Sequence, residues 1–153
     1  MNKMMIGTVG LVLFAASPIF ASSFTDSDSQ PEVKTYEGIP YVSGGIGLEE
    51  RASLGAMSKT DNLKLSFALQ NKDYLGGAEV LIKDRSGKEI LEAVSEGPLF
   101  FAKLPEGIYT VEATAMGKTL ERVVHAPSKG QAQLYFAWKG SKEEVLHHTL
   151  AKK

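Results

Sequence analysis

From Asp61 to Trp138 the hydrophobic residues recur at every second position, a period that suits a strand with one buried face and that no helix can bury on one side. Leu63, Leu65, Phe67 and Leu69 alternate with Asn62, Lys64, Ser66 and Ala68. Ala78, Val80 and Ile82 repeat the alternation with Glu79 and Lys83 opposite them. Asp84-Arg85-Ser86-Gly87-Lys88 then predicts a hairpin turn into a strand over residues 89–94. Gly97-Pro98 opens the continuous apolar run Leu99-Phe100-Phe101-Ala102, and Leu104-Pro105-Glu106-Gly107 closes it as a turn. Tyr109, Val111, Ala113 and Ala115 share one face of the next strand. Met116-Gly117-Lys118 turns the chain into a less regular strand over 119–125, Pro127 to Gly130 turns it again, and Ala132, Leu134, Phe136 and Trp138 complete the set. Seven strands with tight connections predict a mainly β fold, an antiparallel sandwich of two sheets with apolar inner faces.

The flanks read differently. Residues 1–21 carry Lys3, an apolar stretch from Met4 to Phe20 and then the small residues Ala21, Ser22 and Ser23, the order of a secretory signal. An uncleaved anchor is the alternative, but Pro18 interrupts the stretch and it falls short of the roughly 20 residues that a spanning helix needs. Cleavage near Ala21 predicts an exported protein, periplasmic or secreted, with no membrane span after signal removal. Residues 22–43 are rich in Ser, Asp and Pro, which predicts a flexible lead-in. Gly44-Gly45-Ile46-Gly47 reads as a hinge, and Leu48, Ala52 and Gly55 or Ala56 fall at helical spacing with Leu54 and Met57 beside them, which predicts a short helix over 48–58. The lead-in thus runs over 22–60, the sandwich over 61–139 and a tail over 140–153, where Ser141 and Glu144 form a capping-box pair for a short terminal helix.

Chemistry is sparse along the chain. Its 153 residues include 17 basic and 18 acidic ones, with no basic block of the kind phosphate-backbone binding needs, so no nucleic-acid partner is expected. The absence of cysteine removes disulfides, thiolate metal sites and Cys nucleophiles. His147 and His148 are consecutive and diverge by about 100° on a helix, and His125 stands apart from them, so no metal site and no cofactor are expected. No Gly-x-Ser-x-Gly elbow is present. Glu49-Glu50 and Glu143-Glu144 are neighbours whose side chains diverge, a solvated face rather than an acid and base. Two features point outward. Tyr135 falls on the outer parity of the last strand beside Gln131 and Gln133, where it can stack on a sugar ring, with an ordinary strand surface as the plainer explanation. Glu50 and Arg51 form a polar pair outside the sandwich, with capping and surface ion pairing as the plainer explanation.

The stretch from Phe100 to Val111, with its Leu-Pro-x-Gly-x-Tyr-x-Val signature at Leu104, Pro105, Gly107, Tyr109 and Val111, resembles the carboxypeptidase regulatory-like domain. The likeness covers residues 61–138, and Gly44-Gly45-Ile46-Gly47 with Glu50-Arg51 resembles the lead-in of small exported proteobacterial proteins that carry it. It implies a transthyretin-like, Ig-like seven-stranded sandwich that is non-catalytic. Pro105 and Gly107 would make the turn, and Tyr109 would enter the core with its hydroxyl reaching upstream backbone, as in a tyrosine corner. Transthyretin-like hydroxyisourate hydrolases carry an N-terminal His, an Arg and a C-terminal Tyr-Arg-Gly-Ser. Here the last strand reads Tyr135-Phe136-Ala137-Trp138 and no His precedes His125, so that hydrolase is the least favoured alternative. Collagen-adhesin B-type repeats join a first-strand Lys to a last-strand Asn or Asp. Lys64 can play the first part, but residues 131–139 hold neither acceptor.

Taken together, the residues predict a non-enzymatic β-sandwich module acting by protein contact in the periplasm or cell envelope. Its partner would be another envelope protein, with a carbohydrate-binding module as the alternative. Glu50, Arg51 and Tyr135 are the candidate binding residues, and Pro105, Gly107 and Tyr109 the structural motif.

Overall fold

A computed structural model describes residues 30–140; the expected signal, the start of the lead-in and the terminal helix fall outside the described residues. Nine strands and one helix follow in the order β1 (Lys34–Tyr36), β2 (Ile39–Gly44), α1 (Leu48–Met57), β3 (Leu63–Leu69), β4 (Glu79–Lys83), β5 (Glu89–Val94), β6 (Leu99–Ala102), β7 (Gly107–Ala115), β8 (Lys118–Ala126) and β9 (Ala132–Trp138). They form a five-stranded sheet in the order β1-β2-β6-β3-β9 and a four-stranded sheet in the order β5-β4-β7-β8. The alternating apolar residues of both meet in one core. Leu63, Leu65, Phe67, Phe100, Phe136 and Trp138 come from the first sheet, and Val80, Ile82, Leu91, Val111 and Ala113 from the second.

The seven expected strands correspond to β3–β9, and the sequence reading is corrected in three places. First, the loose lead-in does not extend to residue 43, because β1 and β2 form a hairpin that adds two strands to the sheet. Tyr36, Ile39 and Tyr41 pack on the rim of the core, and Glu37 and Gly38 take φ of 45° and 85°. Two consecutive positive φ values give a tight turn the twist that hairpin strands require. Second, the sandwich is not wholly antiparallel: β3 and β9 pair in parallel from Leu63↔Ala132 to Leu69↔Trp138. Third, α1 uses a different face from the expected one. Leu48, at the head of the predicted stripe, is 81% exposed, while Leu54 is wholly buried against Val42, Leu99 and Phe101. Ten residues make under three turns, so the single large side chain that reaches a hollow in the sheet sets the helix's orientation.

That contact also explains the continuous apolar run of β6. Phe100 and Ala102 face the core, while Leu99 and Phe101 face α1, so both sides of the strand are covered. The helix therefore roofs one half of the outer face of the five-stranded sheet and leaves the β3–β9 half open.

The two sheets are clasped along both seams. The Tyr36 hydroxyl donates to Glu89 at 2.8 Å and Lys34 pairs with Glu96, tying β1 to β5 and the residues after it. Across the other seam Trp138 Nε1 donates to the Lys118 carbonyl at 2.9 Å. Asn62, immediately before β3, is buried with its amide fully used. Its nitrogen donates to the carbonyls of Leu104 and Pro127 at 2.7 and 3.0 Å, and its oxygen accepts from the Leu104 N–H at 2.9 Å.

Candidate binding site

The open half of the outer face carries a cleft of about 450 Å³ lined by Ser66, Ala68, Lys72, Tyr74, Leu99 and Tyr135. Its geometry follows from strand register. Ser66 pairs with Tyr135 on β9, so both side chains rise on the same side of the sheet. After Leu69 the chain reverses through Gln70 to Asp73, and Tyr74 forms a bridge back to Ala68 on the opposite flank of β3. Two tyrosines therefore straddle a floor of small residues, two strand spacings apart across the sheet and two residues apart along it, roughly 12 Å on the diagonal. They are 59% and 56% exposed.

Backbone bonds hold this frame in place. Leu69 N–H donates to the Asp73 carbonyl at 2.8 Å and Lys72 N–H to the Leu69 carbonyl at 2.9 Å. Gln70 N–H donates to the Trp138 carbonyl at 2.8 Å, which ties the reversal to the end of β9. Asn71 and Asp73 hydrogen-bond each other within the turn at 3.0 Å. Lys72 adopts φ 72°, a left-handed conformation rare for a residue with a Cβ.

Glu50 and Arg51, expected as a pair, do not engage each other. Glu50 is the third residue of α1, and its carboxylate accepts from the Ile46 N–H at 3.1 Å, supplying the cap that Gly47 lacks. Arg51 donates through Nε to the Gly45 carbonyl at 2.6 Å and through Nη2 to the Ile46 carbonyl at 3.3 Å. Its guanidinium lies 4.2 Å from the centroid of the Tyr74 ring. Glu50 thus fixes the glycine loop, and Arg51 joins that loop to one wall of the cleft. The same crowding governs the glycines: a Cβ on Gly97 would collide with the Gly44 backbone, whose Cα would lie only 2.8 Å away.

Of the other singled-out residues, Gln131 is not available beside Tyr135, because its amide donates to the Asp61 carbonyl at 3.1 Å. The Tyr109 hydroxyl donates to the Pro105 carbonyl at 2.8 Å, and burial raises its pKa. Gly107 is not held in a left-handed conformation, and a Cβ there would meet the Tyr109 ring at an ordinary 3.7 Å. His125 is exposed on the edge of a shallow hollow that also touches Asp84 and Glu106. Asp84 is committed to its own turn, where its carboxylate accepts from Ser86 and the Lys88 N–H, and these bonds hold its pKa below the usual value. Among the described residues no three His, Asp or Glu side chains are grouped to hold a metal ion. Tyr74 escaped the sequence reading altogether. The polar reversal Gln70-Asn71-Lys72-Asp73 after a strand was the signal that would have returned it beside Ala68.

No protein-family model matches the chain, and no curated protein matches it. Among solved structures, a variant of BcpA, the major pilin subunit of Bacillus cereus, is similar with a TM-score of 0.43 and 19% identity over 53% of this chain and 30% of that one. BcpA itself gives 0.40 and 18% over 54% and 31%. The Bacillus anthracis TIE protein gives 0.41 and 23% over 52% and 16%. The chain thus spans less than a third of each of those proteins, and no residue of the cleft carries over from them. Among the described residues no helix is long and apolar enough to cross a membrane.

Proposed function

We propose that the chain is an exported, non-catalytic β-sandwich module that works by contact in the periplasm or cell envelope, through the cleft between Tyr74 and Tyr135. The single observation that carries this reading is the pair of exposed tyrosines held by backbone bonds on either side of Ser66 and Ala68. Rigid aromatic walls give contact area with little rotamer entropy to lose, and they do so equally well for a protein or a sugar. A hollow of about 450 Å³ between exposed tyrosines has room for a small ring-bearing ligand, and the flat faces of both side chains suit the stacking of a sugar ring. The kinship with carboxypeptidase regulatory-like domains belongs to the same proposal, supported by the two-sheet core and the Tyr109 to Pro105 bond.

A photo-crosslinking residue placed at Tyr135, compared with one at Glu121 on the outer face of the other sheet, tests the surface in the native envelope fraction. Adducts specific to the Tyr135 position are expected. Adducts formed only from the Glu121 position would transfer the contact to the opposite face and end this reading.

A further inference from the structure

The charges around the cleft narrow its ligand further. No carboxylate lines it, and Lys72 is its one charged lining residue. Asp73, next in sequence, turns its carboxylate back to Asn71. Lys64 projects from the same face of β3, two positions before Ser66, with its ammonium 5.8 Å from the Phe101 ring centroid. Neither lysine joins an ion pair among the described residues, as holds for most lysines of that part of the chain. Tyr74 and Tyr135 thus bound the slot across the sheet, with Lys72 in its lining and the Arg51 guanidinium over the Tyr74 ring, while Lys64 stands on the same face of β3 beyond Ser66, outside the lining.

We infer that the cleft takes an anionic glycan, a pyranose stacked between Tyr74 and Tyr135 with its carboxylate met by Lys72 or Lys64. The inference rests on the reading of the cleft as the contact surface and adds the sign of the ligand's charge. Sugars recognised through aromatic stacking alone show no dependence on salt, whereas an exposed lysine–carboxylate contact weakens as salt screens it.

The test is titration calorimetry of the protein with a panel of uronate oligosaccharides and neutral oligosaccharides of equal length, at low and high salt. Uronate oligomers should bind about tenfold more tightly than their neutral counterparts at low salt, with the margin shrinking at high salt. The double variant Lys64→Gln, Lys72→Gln should lose the margin and keep residual stacking, and Tyr135→Ala should lose both classes. Equal affinity for the two classes, or a margin untouched by the double variant, overturns the anionic inference and leaves the cleft in place. Binding of an envelope protein that Tyr135→Ala abolishes, with no sugar bound, overturns it in favour of a protein partner. Ligand binding that survives both Tyr74→Ala and Tyr135→Ala overturns the inference and the cleft together. All four substituted side chains reach solvent, and circular dichroism of each variant establishes that it is folded.

Discussion

Gly97 has no room for a side chain, because the backbone of Gly44 already fills the space. Gly97→Ala must push apart the β2 end and the loop before β6, and it should destabilise the protein by about 1–3 kcal/mol in chemical denaturation. Gly87, with nothing within 4 Å of an added Cβ, has a positive φ as its whole constraint, so its substitution strains the turn without disturbing the sheets. Asn62 makes the complementary case. Asn62→Ala strands the Leu104 N–H and two carbonyls in a buried place, and a loss of about 3 kcal/mol is expected from the same measurement. Neither role was legible in the chain. Asn62 looked like an outward member of an alternating strand, and nothing local to it reports that Leu104 and Pro127 fold back onto its amide.

At the scale of elements, legibility followed the distance over which each pattern is set. The alternation that makes β3, β4, β7 and β9 lies within each strand and could be read directly. The β1–β2 hairpin was missed because Ser and Asp before it masked Tyr36, Ile39 and Tyr41, although Glu37-Gly38 between them is a sound turn. The face of α1 was misjudged because the hollow receiving Leu54 is built by Val42, Leu99 and Phe101 from two other strands. Leu54→Ala should cost about 2–5 kcal/mol, while Leu48→Ser should move stability by no more than about 0.5 kcal/mol; thermal denaturation of the two variants checks the orientation. The β1 clasp has its own signature in pH. The bond to Glu89 pushes the Tyr36 pKa up to about 12 from its ordinary 10.0, and pairing with Glu96 raises Lys34 as well. A group raised in the folded state stabilises it below the unfolded pKa and ceases to do so as pH climbs through the folded one. Melting temperature should therefore fall between about pH 10 and 12, with a smaller fall in Tyr36→Phe.

For the whole molecule, the candidate site was half visible in the sequence. Tyr135 could be placed on an outer parity, but its counterpart Tyr74 and the flanking lysines come together only through the pairing of β3 with β9 and the reversal after Leu69. Distant pairing also governs folding speed. β9 lies alongside β3 from roughly seventy positions further along the chain, and closing so long a loop is entropically slow. Refolding from denaturant, followed by Trp138 fluorescence, should take on the order of milliseconds to seconds, slower than helical domains of this size. The late strand has one more bearing, on how the polypeptide is made. Among the described residues Phe136 and Trp138 are the last large pieces of the interior, and they emerge from synthesis after the strands they cover. Until they do, Leu65 and Phe67 have no partner on that flank. The growing polypeptide therefore carries an uncovered flank of its core through most of its synthesis, a state that a protease can still cut.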